Sequence, residues 1–177
     1  IYNSKNKIKI YLNKKDYILC AKFRKGHFEG VIDVMTRFTR LIKPSKIFMG
    51  EKDFQQLFLV KRYIEKNFQS KIIPCKTIRN KNKLALSSRN LLLNKKDLNK
   101  AGKISTSLIY FKKRLYNKKI TNELVSSKKK ELEKSFNINI EYLEIRNKKN
   151  LQQSDKINNS KIFIAYNLKG VRLIDNF

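Results

Sequence analysis

Apolar and polar residues alternate from Ile8 to Leu12, the pattern of a short strand with one face buried. After His27 the period changes: Phe28, Val31, Val34, Met35, Phe38, Leu41 and Ile42 recur at spacings of three and four, so a helix with one apolar face is expected up to Pro44. Lys46 to Met49 is a short apolar run closed by Gly50, read as a buried strand and a glycine turn. A second helical pattern follows at once, with Phe54, Leu57, Val60 and Ile64 on one side, and runs to about Asn67. Ile72-Ile73 is the next strand. The order helix, strand, glycine turn, helix, strand is that of a parallel α/β sheet, with too few strands for a complete doubly wound domain.

Beyond Pro74 the character shifts. Asn80 to Lys83 is a polar turn, Ser87 to Asn90 an irregular stretch, and Leu84-Ala85-Leu86 lies between them. Helices are expected over about Lys96 to Tyr116 and Asn122 to Lys134, and strands at Ile138 to Ile145, Ile162 to Tyr166 and Val171 to Ile174. The sequence thus divides into residues 1–75, part of a parallel α/β domain, and residues 76–177, a small α+β domain.

Composition adds one conspicuous feature. The 177 residues carry 42 Lys and Arg against 14 Asp and Glu, a formal charge of +28. Such a balance suggests a polyanionic partner, and a basic nucleic-acid-binding module is one reading. The kind of residue argues otherwise: Lys outnumbers Arg 33 to 9, although Arg supplies the bidentate fork that reads phosphates and bases. The lysines are scattered through helices and turns alongside abundant Asn and Ile, as AT-rich coding produces, so a solvated surface is the expectation and nucleic acid is not. No apolar run approaches the roughly 20 residues of a membrane-spanning helix, and no membrane partner is expected. Cys20 and Cys75 lie far apart with His27 as the sole histidine, which indicates neither a disulfide framework nor a metal site. A cytoplasmic location is the natural expectation.

Three stretches hold candidate chemistry. In the first, Gly50 at the end of a strand allows a ligand close to the backbone, and the helix after it offers unpaired N–H groups and a positive dipole end. There Lys52 is suited to a phosphate, Asp53 to a ribose, and Gln56 offers a donor and an acceptor; an ordinary strand-to-helix turn with solvated Glu51, Lys52 and Asp53 is the competing reading. In the second, Ser87, Ser88 and Arg89 combine two hydroxyls and a guanidinium in one loop, fit for a polyphosphate or equally for a surface turn. The third, Arg24 to Gly30, contains His27 just before a helix, a packing residue or a general acid or base. Neither a Walker loop nor a complete Gly-x-Gly-x-x-Gly is present.

Taken together and in this order, three elements closely resemble the pantoate-beta-alanine ligase (pantothenate synthetase) family: Arg24, Gly26, His27, Phe28, Gly30 and Val31; the run Phe48 to Leu57 around Gly50-Glu51-Lys52-Asp53; and Leu84 to Asn90. Tyr142-Leu143-Glu144 and Arg172 to Asn176 look like that family's closing strands. The resemblance implies a Rossmann-like nucleotide domain followed by a lid domain, and a ligase that joins pantoate to beta-alanine with ATP and Mg2+ through a pantoyl adenylate. It places Gly50, Glu51, Lys52 and Asp53 along ATP, the Ile78 backbone at adenine, and Leu86, Ser87, Ser88 and Arg89 as the phosphate clamp. Lys52, Ser87, Ser88 and Arg89 are the implied catalytic residues. Gln56 would hold pantoate, with Val31, Val34 and Met35 as apolar walls and Arg24 and His27 in support.

The chain also departs from the family pattern. It has no His-x-Gly-His-type element or second pantoate-binding glutamine from the family's amino-terminal half, and it starts at Ile1, so it is expected to be a carboxy-terminal fragment that is inactive alone and homodimeric when complete. A decayed synthetase is the alternative. Lys25 stands where a proline is usual, and Asn82-Lys83 where Asp-Gly is usual.

Overall fold

The structure is a computed structural model that describes residues 10–177. The chain divides into two compact units, Ile1–Lys76 and Thr77–Phe177.

In the first unit a 3-10 turn (Lys14–Asp16) and a one-turn helix α1 (Cys20–Phe23) lead into α2 (His27–Ile42), β1 (Lys46–Gly50), α3 (Phe54–Asn67) and β2 (Lys71–Cys75). The two strands are parallel, with Lys46 opposite Lys71 and Gly50 opposite Cys75, and α3 is their crossover. Pro74 is tolerated because β2 pairs only with β1 among the described residues, leaving its other side free of a ladder. Leu57, Val60 and Ile64 of α3 are buried with Phe28 and Ile32 of α2 and Ile72 of β2. Two contacts tie the segment before α2 to α3. Arg62 forms a bidentate ion pair with the buried Asp16 carboxylate, and the Gln55 amide donates to the Ile18 carbonyl at 2.8 Å.

Three expectations change here. The strand read as buried, β1, has no buried residue among those described: Ile47 and Met49 are half-buried and Phe48 is exposed, because β2 and α3 cover it only in part. Ile8 and Lys9 lie outside the described residues, and Ile10 to Leu12 has no regular secondary structure, so no strand forms over those three residues. On α2 the fully buried positions are Phe28, Ile32, Thr36 and Thr39, while Phe38, Leu41 and Ile42 are exposed. The threonines can be buried because each hydroxyl donates to a carbonyl one turn back, Thr36 to Ile32 and Thr39 to Met35, both at 2.7 Å. Val31, Val34 and Met35 are half-buried. The most apolar stripe of the helix is therefore not the one that this unit's described residues bury.

The second unit opens with a turn closed by an Arg79–Ala85 bridge, then a 3-10 helix (Ser88–Leu92). Next come α4 (Lys95–Arg114), α5 (Asn122–Phe136), and the strands β3 (Asn139–Asn147), β4 (Ser160–Leu168) and β5 (Val171–Asn176). Both helices start at side-chain caps: Asn94 accepts from Asp97 N–H, and Thr121 from Leu124 N–H. The sheet is antiparallel in the order β3-β4-β5. Lys169 and Gly170, at φ 52° and 80°, join β4 to β5 as a two-residue hairpin turn, whose backbone twist suits the strands it connects. Ile104 and Leu108 of α4, Leu115 just past its end, and Leu132 of α5 share one core with Ile140, Ile162, Ile164 and Leu168. The fold is mixed α/β, with a parallel sheet in one unit and an antiparallel sheet in the other. No helix among the described residues is long and apolar enough to cross a membrane.

Candidate active site

The candidate residues fall into one group per unit. In the first, β1 delivers Gly50 at its carboxyl end with ordinary extended backbone, φ −69° and ψ 132°. Apart from its two chain neighbours, no described residue has an atom within 4 Å of where a Cβ on Gly50 would sit, so the described residues leave the space beside this glycine open. The helix does not start at once, as the pattern suggested: Glu51, Lys52 and Asp53 form a 3-10 turn, and Asp53 is the residue before α3 without a side-chain capping bond. Its carboxylate is exposed and lies 3.5 Å from the Lys52 ammonium. That arrangement keeps a cation and an anion at the strand end, both within reach of solvent.

Adjacent glutamines on α3 differ in burial and contacts. Gln56 is half-buried in the first turn of the helix. Gln55 is buried, its nitrogen serves the Ile18 and Asp16 carbonyls, and its side-chain oxygen has no hydrogen-bond partner among the described residues. Nothing in the sequence distinguishes the two, because only their helical phase separates a structural anchor from a candidate ligand. At the start of α2, Arg24 Nη1 lies 2.8 Å from His27 Nε2. A guanidinium cannot accept, so Nε2 is the acceptor and the ring proton is on Nδ1. The His27 ring also stands against Phe28, centroids 4.9 Å apart.

In the second unit Ile78 and Leu86 are brought side by side. Leu86 N–H donates to the Ile78 carbonyl at 3.0 Å, and both side chains are exposed. Lys83 turns the chain at the tip with φ 67°, the left-handed conformation that the glycine usual in the family adopts freely. Past Leu86 the chain enters the 3-10 helix, where Ser87 Oγ accepts from Arg89 N–H at 3.3 Å. Arg89 Nη1 donates to the Arg172 carbonyl at 2.8 Å, which fixes one edge of the guanidinium, while its other donors have no partner among the described residues. Asn90 Nδ2 donates to the Ala85 carbonyl at 3.0 Å, bracing the loop from behind. A cleft of 690 Å³ between the start of α5 and β3, lined by residues that include Thr121, Glu123, Leu143 and Asp155, contains none of the candidate residues. Among the described residues no three His, Cys, Asp or Glu side chains cluster in a way that would hold a metal.

A sequence profile of the family described as Pantoate-beta-alanine ligase matches residues 1–177. The chain belongs to that family. It is 36% identical over 160 residues to the pantothenate synthetase of Flavobacterium psychrophilum, covering 88% of this chain and 56% of that protein. To the pantothenate synthetase of Clostridium botulinum it is 40% identical over 165 residues, covering 90% of this chain and 58% of the relative. Among solved structures, pantothenate synthetase from Thermus thermophilus superposes with a TM-score of 0.86 at 25% identity, over 99% of this chain and 65% of that one. Pantoate-beta-alanine ligase from Francisella tularensis, complexed with beta-gamma ATP and beta-alanine, superposes at 0.73 with 32% identity, over 97% and 58%. The chain thus spans little more than half the length of these curated pantoate-beta-alanine ligase family relatives.

Proposed function

We propose that this chain supplies ATP- and pantoate-binding groups to a ligase that condenses pantoate with beta-alanine, giving pantothenate, AMP and pyrophosphate. Residues 1–75 act as the nucleotide and pantoate part and 76–177 as the lid. The observation that carries this reading is the loop of the second unit: Ser87, Ser88 and Arg89 stand on a short braced turn, with Arg89 oriented by a backbone carbonyl and still rich in donors.

In this scheme a pantoate carboxylate oxygen attacks the α-phosphorus of ATP, and the bond to pyrophosphate breaks with its electron pair leaving on pyrophosphate. The beta-alanine amine then attacks the acyl carbon, loses a proton, and releases AMP. Such a transfer asks the protein mainly for alignment and for fixed positive charge where phosphoryl oxygens become more negative. Lys52 and Arg89 supply that charge, the Ser87 and Ser88 hydroxyls donate to phosphate oxygens, and the open space at Gly50 admits the nucleotide beside Glu51 and Asp53. The Ile78 backbone faces the adenine, and Leu86 leads into the loop that clamps the phosphates. Gln56 holds pantoate, with its methyl groups against Val31, Val34 and Met35, which the core leaves half-buried. Arg24 and His27 support that end. Mg2+ would arrive on the ATP phosphates and offset their charge when bound; the described acidic residues, Asp53 included, form no cage of their own for it. Homodimeric assembly and a cytoplasmic location belong to the same reading.

Calorimetric titration of the chain with ATP tests it. Binding is expected, weakened about tenfold or more in Lys52→Ala and in Arg89→Ala, as for loss of a charge-assisted contact. Equal ATP affinity in both variants and the unaltered chain would overturn the assignment.

A further inference from the structure

The Arg79 guanidinium belongs to neither group of candidate residues, yet a dense set of contacts holds it. Nη1 donates to the Lys83 carbonyl at 2.9 Å and to Asp175 Oδ2 at 2.7 Å; Nη2 donates to Asp175 Oδ1 at 2.9 Å and to the Asn176 carbonyl at 3.0 Å. Its central carbon stands 4.6 Å from the centre of the Phe177 ring. Asp175 is buried, and the guanidinium is largely so. One planar group therefore joins the tip of the 78–86 turn to the end of β5, some 96 residues further along the chain.

The place of this joint matters. Arg79 follows Ile78 directly and bridges to Ala85, which precedes Leu86. On the same turn Leu86 N–H is bonded to the Ile78 carbonyl, Asn80 N–H to the Leu84 carbonyl at 2.9 Å, and Leu84 N–H to Asn80 Oδ1 at 3.0 Å. The shape of the turn sets where the Ile78 backbone points and where the Ser87–Arg89 turn begins. We propose that Arg79 is a positioning residue for nucleotide binding: it clamps the turn to β5 and so holds Ile78 and the Ser87–Arg89 loop in the arrangement that receives ATP. The nucleotide part rests on the ligase reading above. Arg is required because a planar fork reaches the Asp175 carboxylate and two carbonyls at once, whereas an ammonium at the end of a lysine cannot meet that set together.

Removing the charge outright would strand the buried Asp175 carboxylate and risk unfolding the unit, so the informative variant is Arg79→Lys. Leu132→Val serves as its control, a core change in α5 that lowers stability without touching the turn. Hydrogen exchange and calorimetric ATP titration are measured on all three proteins. In Arg79→Lys the Asn80, Leu84 and Leu86 amides are expected to exchange about tenfold faster while Ile164 in β4 is unchanged, and ATP affinity to fall about tenfold. Leu132→Val should retain the affinity of the unaltered chain. Unchanged exchange at the three turn amides would overturn the clamp. Faster exchange with unchanged ATP affinity, or an equal loss of affinity in Leu132→Val, would reduce Arg79 to a structural residue and overturn the positioning role. Failure of the unaltered chain to bind ATP would overturn the ligase reading and the positioning role with it, and the exchange comparison tells this apart from failure of the clamp because it needs no nucleotide.

Discussion

The backbone carbonyl oxygen of Asn82 lies 2.8 Å from the point where a Cβ on Gly102 would fall. The glycine is in the middle of α4, where its flexibility costs about 1 kcal/mol relative to alanine. It is retained because the 80–83 turn rests directly on the helix there, with Asn82 Nδ2 also donating to Asn99 Oδ1 at 2.8 Å.

Gly102→Ala is accordingly expected to destabilise the protein despite the better helix former. The methyl group meets backbone and the Asn82 Cβ, not the end of a flexible side chain, so the turn or the helix must shift at a cost of about 1–3 kcal/mol. A lower urea midpoint with an unchanged slope is the expected result; a higher midpoint would show that the turn yields easily.

Lys83→Gly should do the opposite. At φ 67° a residue with a Cβ is strained by about 1–2 kcal/mol, part of which is returned in the unfolded chain by the greater freedom of glycine. The net gain expected is about 0.5–1 kcal/mol, again read from the denaturant midpoint. The two bonds of this residue to the turn, its N–H to the Asn80 carbonyl and its carbonyl to Arg79, are main-chain contacts that the substitution keeps. A loss of stability would mean that the exposed lysine side chain contributes more than its backbone costs.

The third expectation concerns pH. Burial of the Lys112 ammonium, then the positive charges of Lys161 and Lys148, hold its pKa below the ordinary value of 10.5. Between that lowered value and 10.5 the unfolded chain binds more protons than the folded one, so this group makes stability rise with pH in that window and lowers it at neutral pH. Lys112→Met should therefore raise the melting temperature at pH 7 by about 1–3 °C, and the gain should shrink as pH approaches 10.5. Thermal melts of both proteins across that range check it; an equal gain at every pH would assign the effect to packing.

Much of this was readable in the residues themselves. The apolar run from Lys46 and the glycine behind it mark β1 and the turn into α3, although the described residues do not bury the strand: Ile47 and Met49 are half-buried and Phe48 is exposed. The second unit was legible from its own apolar periods, although its strands extend past the expected runs into Asn147, Ser160 and Asn176, whose backbones pair regardless of side chain. The buried face of α2 was not legible. Thr36 and Thr39 enter the core by donating to their own helix, a contact invisible to a count of apolar positions, and Phe38, Leu41 and Ile42 stay exposed. The alternation from Ile8 needs a neighbouring strand to become one, and Ile10 to Leu12 is not in a ladder. Among candidate site residues, the elements around Gly50 and Ser87 stood out by their residue types. Gln55 and Arg79 did not, since their roles depend on partners 37 and 96 positions away.

The loop from Ile78 to Asn90 is held largely by carbonyl groups: those of Arg172, Lys83, Asn176, Ile78 and Ala85 receive its bonds. Every amino acid brings the same carbonyl, whatever codon specifies it. Such a loop keeps its shape whatever residues supply those carbonyls, and the side chains it depends on are a short set: Arg79, Arg89 and Asn90 as donors, and Asn80, Ser87 and Asp175 as acceptors.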